Sequence, residues 1–232
     1  MIIALNNKCN LNKEEYLDYM NRLNEINTTH HLILCPSTLH LGITHLKEAS
    51  LGSQNVSCFD NGAYTGEVST DQLKSYGVEY SIIGHSERRQ YQRETNEEIH
   101  EKLKQLLKNN IIPILCIGES LEERKNNQVF SILKEELEVA LKDLTPLEQE
   151  KVIIAYEPIW SIGTGIIPSI EEIEEVFQFI KNMVPNSKVL YGGSAHEENI
   201  DSLKQCLLID GYLLGGLSLK IDKLEIFLKK VN

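Results

Sequence analysis

The sequence has few of the features that mark membrane-spanning, disulfide-rich or metal-binding proteins. Among its 232 residues no stretch approaches the roughly 18 consecutive apolar residues of a membrane-spanning helix, which excludes that class. The five cysteines are odd in number, scattered, and form no Cys-x-x-Cys pair, so reduced thiols are expected rather than a disulfide framework. The seven histidines are dispersed as well, and the adjacent His30-His31 is interpreted as a surface turn before an apolar strand. No metal site is therefore expected.

Positive charge is also scarce, since 23 Lys and Arg against 34 Asp and Glu give a net charge of −11. This balance argues against a general affinity for nucleic acid or for an anionic membrane. An anionic substrate would therefore need local binding groups to attract it. Residues 1–8 lack the organisation of a signal peptide, and together with the reduced thiols they predict a cytoplasmic protein.

No Pro/Ser-rich linker, low-complexity tract or charge run divides the chain, so residues 1–232 are predicted to form a single domain. Short apolar runs alternate with amphipathic helical patterns throughout. Three capping boxes predict helix starts, at Thr95 with Glu98, at Ser120 with Glu123 and at Ser169 with Glu172. The predicted strands cover residues 2–5, 32–35, 51–56, 80–83, 112–117, 152–155, 189–191 and 212–214.

Eight apolar strands separated by helices predict a closed, parallel α/β barrel with helices outside. A doubly wound open sheet is the alternative, but no Gly-x-Gly-x-x-Gly follows the first strand. In such a barrel the active site forms from the loops that follow the strands. Those loops carry Asn6 and Lys8 after strand one, Gly84-His85-Ser86-Glu87-Arg88-Arg89 after strand four, Glu157 after strand six, Gly192-Gly193-Ser194 after strand seven and Gly215-Gly216 after strand eight.

Glu157 is the main candidate for a catalytic base. It follows the apolar run 152–155 and precedes Pro158, which ends the strand and holds the carboxylate where strand becomes loop. The next residues, 158–165, form an apolar loop that ends in Gly-Thr-Gly and could close over the carboxylate; we call it the lid. A fixed base beside a closing loop is the arrangement that proton abstraction needs. The alternative is a salt-bridged glutamate beside an ordinary surface loop.

The consecutive glycines after strands seven and eight predict a phosphate site. Without side chains, their backbone N–H groups can approach an oxyanion closely. A phosphate bound after these two strands is a recurrent feature of parallel barrels. The alternative is that each pair simply marks a tight turn.

His85 and Lys8 each allow two interpretations. A helical turn beginning at Ser86 would disfavour a charged His85 ring and keep it neutral, but a hydrogen-bonded structural histidine is the alternative. Lys8 is either the main positive charge of the site or a solvated loop lysine. The charged residues 87–89 have two interpretations. They brace the loop of His85 or an interface, or they form a surface ion-pair cluster that contributes little to stability.

These residues lie in longer segments that together resemble the triosephosphate isomerase family. The resemblance runs from residue 6 to residue 220 in the family's order. The matching segments are Gln54-Asn55-Val56, Gly62-Ala63-Tyr64-Thr65-Gly66-Glu67, Ile83-Gly84-His85-Ser86-Glu87-Arg88-Arg89, Leu115-Cys116-Ile117-Gly118-Glu119, Ala155-Tyr156-Glu157-Pro158-Ile159-Trp160, Leu190-Tyr191-Gly192-Gly193-Ser194 and Asp210-Gly211 through Gly215-Gly216.

The resemblance implies a (β/α)8 TIM barrel that interconverts dihydroxyacetone phosphate and D-glyceraldehyde 3-phosphate, in glycolysis and gluconeogenesis, without cofactor or metal. It implies that Glu157 moves a proton between C1 and C2 and that His85 is a neutral electrophile, as is established for the family. Asn6 and Lys8 would stabilise the enediolate oxygens and the substrate charge. The phosphate would be bound by Gly163, Ser194, Gly215 and Gly216, mostly through backbone N–H groups.

The family is dimeric, so the resemblance also implies a homodimer. The loop Thr65-Gly66-Glu67 would insert beside the site of the neighbouring subunit, with Thr65 near Asn6 and Glu87 of that subunit. Arg88 would pair with Glu67 across the interface. A dissociated monomer is expected to be poorly active.

Two departures from the family pattern stand out. Asn7 occupies the position between Asn6 and Lys8 where the family usually has tryptophan, and it is expected to support the loop at a modest cost. The C-terminal hinge of the lid, residues 165–168, looks about two residues shorter than usual in a barrel whose connections are already short. We expect altered lid closure, with weaker binding of a planar enediolate mimic or more elimination to methylglyoxal.

Two other functions remain open on the sequence alone. One is a different activity of a phosphate-binding barrel, on another aldose or ketose phosphate. The other is a non-catalytic paralogue that binds a sugar phosphate or a protein. The intact set of Asn6, Lys8, His85 and Glu157 favours the isomerase.

Overall fold

The computed structural model describes residues 1–164 and 166–231. Its centre is a closed barrel of parallel strands in chain order, with the first strand paired to the last. This confirms the predicted (β/α)8 barrel. The strands are β1 Ile2–Asn6, β2 His31–Cys35, β3 Ser50–Ser53, β4 Tyr80–Ile83, β5 Ile112–Ile117, β6 Ile153–Tyr156, β7 Val189–Tyr191 and β8 Gly211–Leu214.

Helices surround the barrel, and within the described residues ten are α-helical. They are α1 Lys13–Leu23, α2 Thr70–Ser75, α3 Ser86–Gln92, α4 Asn96–Lys108, α5 Leu121–Lys125, α6 Val129–Ala140, α7 Pro146–Gln149, α8 Ile170–Met183, α9 Ile200–Leu203 and α10 Ile221–Val231. Short 3-10 turns cover Thr38–Ile43, Ile159–Ser161 and Gly216–Leu219. None of the helices so described is long and apolar enough to cross a membrane.

The capping boxes fix where several helices begin. Thr95, Ser120 and Ser169 each accept the backbone N–H of the glutamate three residues on, whose carboxylate binds back to the cap N–H. These bonds satisfy donors that the first helical turn leaves unpaired. The predicted starts of α4, α5 and α8 are therefore confirmed.

Apolar side chains fill two separate layers. One lies inside the barrel and includes Ala4, Ile33, Ile82 and Ile114; the other lies between the strands and the helices. Two of the cysteines, Cys35 and Cys116, are fully buried in the inner layer. With both faces covered, most of the strands are predominantly apolar, β3 being the exception, which explains the near-continuous apolar runs in the sequence.

One predicted strand was too long. The run 51–56 forms a strand only as β3, Ser50–Ser53, which pairs with each neighbour at two positions. Gln54 then leaves the sheet, and its side-chain amide donates to the carbonyl oxygens of Lys8 and Cys35, at 2.9 and 3.0 Å. These bonds brace the loop after β1, so the residue that follows β3 supports the C-terminal end of the barrel.

Candidate active site

A cavity of about 380 Å³ opens at the C-terminal ends of the strands. It brings together the eight residues that the sequence singled out for chemistry or phosphate binding. These are Asn6, Lys8, His85, Glu157, Gly163, Ser194, Gly215 and Gly216. They come from the ends of five different strands, so the closed barrel is what gathers them.

Glu157 lies directly after β6 and is only 2% exposed. Its Oε1 is 3.0 Å from Nε2 of His85, and its Oε2 accepts the backbone N–H of Ser86 at 3.0 Å. Gly192 makes room for it, because a Cβ there would come within 2.9 Å of the Glu157 side chain. The carboxylate is therefore held in a dry position by two donors.

The contact with His85 sets the protonation of both groups. Burial raises the pKa of a carboxyl, but the His85 ring, the Ser86 N–H and Lys8 together outweigh this effect and lower the pKa of Glu157 below its ordinary value. Burial also disfavours a charged His85, but the Glu157 carboxylate outweighs it and raises the pKa of the ring. Glu157 is accordingly a carboxylate near neutral pH, as a proton acceptor must be.

The hydrogen bonds of His85 define its tautomer. The ring lies at the N-terminus of α3, which begins at Ser86, and Nδ1 accepts the backbone N–H of Glu87 at 3.2 Å. A nitrogen that accepts a hydrogen bond carries no proton, so the proton of the neutral ring lies on Nε2, the atom that faces Glu157 and the cavity. The helical turn expected at Ser86 is present.

Lys8 is held in a conformation that costs energy. Its φ is 53°, in the left-handed region that side chains disfavour. Its backbone N–H donates to Oδ1 of Asn6 at 3.0 Å, and its ammonium group donates to Glu87 at 2.5 Å. Gly215 lies against the Lys8 side chain and leaves room for it, since a Cβ at this position would lie only 3.2 Å from that side chain. Strain of this kind persists where the surroundings over-determine it, often at functional sites.

A sequence model of the family named Triosephosphate isomerase matches residues 1–231 of the chain. The chain belongs to the triosephosphate isomerase family. It is 41% identical to the triosephosphate isomerase of Alkaliphilus oremlandii over 240 residues, which cover 96% of each chain. It is 40% identical to the enzyme of Francisella philomiragia, over 80% of this chain and 77% of that one. Identity with the enzyme of Mesomycoplasma hyorhinis is 47%, over 74% of this chain and 70% of the other.

Triosephosphate isomerases are aldose–ketose isomerases, so family membership makes this chain an enzyme of that class with a role in glycolysis. The resemblance stated from the sequence motifs is confirmed.

The lid of this triosephosphate isomerase is anchored at its N-terminal end. Nε1 of Trp160 donates to Oε1 of the buried Glu119 at 2.9 Å, and the Arg124 guanidinium lies 5.2 Å from the Trp160 ring centre. Thr164, at the tip, donates to the carbonyl oxygen of Ser161 at 3.0 Å. The predicted short hinge, 165–168, lies partly outside the described residues because it begins at Gly165.

A second cavity, of about 390 Å³, adjoins the first and shares Asn6, Lys8 and His85 with it. Glu67, Glu87 and Arg88 also line it, whereas Thr65 lies on an exposed loop nearby. Arg88 donates to Glu94 of its own chain at 2.9 Å. Three of the four residues predicted for an interface thus line a hollow beside the active site.

Asn7 does not line the active-site cavity. Its side chain is 1% exposed and donates to the Ser218 hydroxyl at 3.3 Å. That hydroxyl in turn donates to the carbonyl oxygen of Asn6 at 3.2 Å. Asn7 therefore ties the loop after β1 to the 3-10 turn after β8, on the far side of the site.

Sequence reasoning missed Ser161 as a site residue. It is a fully buried residue of the lid, and its hydroxyl accepts the backbone N–H of Ser194 at 3.2 Å. The sequence did contain a signal for it, a single serine in an otherwise apolar loop. A hydroxyl that is buried with such a loop needs hydrogen-bond partners.

Proposed function

We propose that the cavity interconverts dihydroxyacetone phosphate and D-glyceraldehyde 3-phosphate by proton transfer through an enediolate, with Glu157 as the base. The observation that carries this proposal is the buried Glu157 carboxylate against Nε2 of His85. Glu157 would leave Ser86 N–H and His85, take the proton from C1 of the ketose, and return it to C2. Reversal of these steps converts the aldose to the ketose.

His85 would act as a neutral acid. Its Nε2–H would donate to the carbonyl oxygen and then recover a proton from the neighbouring hydroxyl, so that protons pass between the two oxygens. The Glu157 carboxylate raises the pKa of the ring in the free protein. Once that carboxylate turns to the substrate, the Glu87 N–H still holds Nδ1 as an acceptor and the ring stays neutral.

A titration of His85 tests this electrostatic link. The Glu157→Gln variant lacks the carboxylate that raises the pKa of His85, but the ring remains buried. The pKa of His85 should therefore fall below its ordinary value of 6.5. Nitrogen-15 NMR of both proteins measures this pKa directly. His30, which precedes β2 at the other end of the barrel, is the internal control and should titrate alike in both. An unchanged His85 pKa would contradict the proposed pairing.

Asn6 and Lys8 would stabilise the charge that forms on the substrate. An enediolate gathers negative charge only in the transition state, so donors fixed beforehand lower the barrier more than they tighten substrate binding. Lys8 is fixed in this sense by its strained backbone and by Gln54. Its ammonium group also supplies positive charge in a chain whose net charge is −11.

The phosphate group would bind to the backbone N–H groups of Gly163, Ser194, Gly215 and Gly216. All four residues line the same cavity. Ser194 N–H currently donates to a neutral hydroxyl, which a phosphate oxygen can replace. Closure of the lid over the bound substrate would exclude water and so limit phosphate elimination from the enediolate.

Substrate choice separates this proposal from action on a longer sugar phosphate. Purified protein should convert D-glyceraldehyde 3-phosphate rapidly and leave D-ribose 5-phosphate unchanged. A preference for the five-carbon substrate would favour a different aldose–ketose activity. No turnover of either, with phosphate binding retained, would favour a non-catalytic binding protein.

We also propose a homodimer, one domain over residues 1–232, and a cytoplasmic location. The hollow lined by Glu67, Glu87 and Arg88 beside the active site supports the dimer, because the exposed loop of Thr65 from a second copy could fill it. The barrel closed between β1 and β8 supports a single domain. A role in glycolysis supports the location.

Dilution tests the dimer. Specific activity should fall as the protein is diluted below its dimer dissociation constant. The loop after β1 then lacks the contact with the Thr65 loop of a second copy. Analytical ultracentrifugation gives that constant, and a Thr65→Arg variant should raise it by at least tenfold through steric clash. Equal turnover per subunit above and below the constant would refute the need for a partner.

A further inference from the structure

The hydroxyl of Ser161 links three parts of the active site. It donates to the carbonyl oxygen of Ile166 at 2.6 Å and accepts the backbone N–H of Ser194 at 3.2 Å. Ser161 lies within the lid, Ile166 belongs to the hinge that follows the lid, and Ser194 follows β7. The side chain is fully buried, so water does not compete for these bonds.

Both partners of this hydroxyl take part in the reaction cycle proposed above. Ser194 N–H is one of the donors assigned to the substrate phosphate, and here it is occupied by Ser161. Ile166 is exposed at the end of the lid that must move when the lid closes. One hydroxyl therefore connects an occupied phosphate donor to a hinge of the lid.

We infer that Ser161 is a positioning residue that latches the lid in its free conformation and is released when the substrate phosphate takes the Ser194 N–H. This inference rests on the proposed function, in which Ser194 binds phosphate. A hydrogen bond to an anion is roughly twice as strong as one between neutral groups, so a phosphate oxygen displaces the hydroxyl. Loss of that anchor frees Ser161 and, with it, the Ile166 end of the lid.

The latch acts on phosphate binding in a defined direction. Holding the free state with neutral hydrogen bonds lowers the affinity for every ligand that must break them. A single neutral bond contributes about 1 kcal/mol, roughly a fivefold change in an equilibrium constant. Removing the hydroxyl should therefore tighten phosphate binding, whereas loss of a merely structural contact would weaken it.

The experiment uses Trp160, the sole tryptophan, as a reporter beside the latch. Wild type and Ser161→Ala are titrated with 2-phosphoglycolate and with inorganic phosphate, and the Trp160 fluorescence gives each dissociation constant. We expect both constants to fall about three- to tenfold in Ser161→Ala, and the KM for D-glyceraldehyde 3-phosphate to fall while kcat does not rise.

Ser161→Cys is the control that keeps the space occupied, because its thiol is somewhat larger than the hydroxyl but is a weak donor and acceptor. It should tighten binding as alanine does, which would separate loss of the hydrogen bonds from loss of volume. Unchanged or weaker binding in both folded variants overturns the latch while leaving the proposed function intact. Failure of wild type to bind either ligand overturns the proposed function, and the latch with it.

Discussion

Replacing Glu157 with glutamine should lower kcat by about 10²–10⁴, the usual contribution of a positioned general base. The amide keeps the size of the side chain but cannot accept a proton from carbon. KM should change little, because the role proposed for the carboxylate is at C1 and C2 rather than at the phosphate. Conversion of D-glyceraldehyde 3-phosphate by both proteins, purified from the same host, measures the loss.

A glutamate-to-glutamine substitution at another residue that lines the cavity is the control. Glu197 also lines the cavity, but its carboxylate pairs with Lys223 rather than with His85. Glu197→Gln should therefore retain kcat within about twofold, since it removes only a rim charge. Equal kcat in Glu157→Gln and wild type would remove Glu157 from the chemistry, whatever the control shows.

Replacing Lys8 with glycine should lower kcat/KM by about 10²–10³, the cost of losing one preorganised charge in an active site. Stability should hardly change. Glycine relieves the left-handed backbone at φ 53°, while the lost ion pair with the half-exposed Glu87 is worth at most about 1 kcal/mol. We expect the free energy of unfolding, from urea titration, to stay within about 1 kcal/mol of wild type.

Arg93 provides a matched backbone control. It is exposed, ends α3 and has a φ of 55°, but it lines neither of the two cavities at the barrel mouth. Arg93→Gly should relieve the same kind of strain and leave kcat/KM unchanged. If Lys8→Gly kept more than a tenth of the wild-type kcat/KM, the charge would not be essential. If it lost more than about 2 kcal/mol of stability, the conformation of Lys8 would not be strained.

The parts of the fold that depend on local chemistry were predictable from the sequence. The apolar runs gave the strands because both faces of a barrel strand are covered, and the capping boxes gave the starts of α4, α5 and α8 because their bonds lie within four residues. Glu157 could be placed because the proline after it ends the strand.

Features that depend on distant contacts were not predictable. The end of β3 follows from pairing and from the bonds of Gln54 to Lys8 and Cys35, which the run 51–56 does not reveal. The left-handed backbone of Lys8 occurs in a residue that bonds to the distant Gln54 and Glu87, and the sequence does not reveal these contacts. Ser161 lies in an apolar stretch without periodicity, and its role emerges only when Ile166 and Ser194 are seen around it.

The pairing of β1 with β8 also has a consequence for how the protein is made. Asn6 and Lys8 are synthesised before the other strands of the barrel, whereas Gly215, Gly216 and Ser218, which bonds to Asn6, are synthesised only after those strands. A growing chain therefore carries Lys8 long before it has the strand that closes the barrel or the Gly215-Gly216 turn that we propose as part of the phosphate site. Activity during synthesis should consequently appear in a single late step, and a chain cut before β8 should be inert even where its earlier strands have already paired.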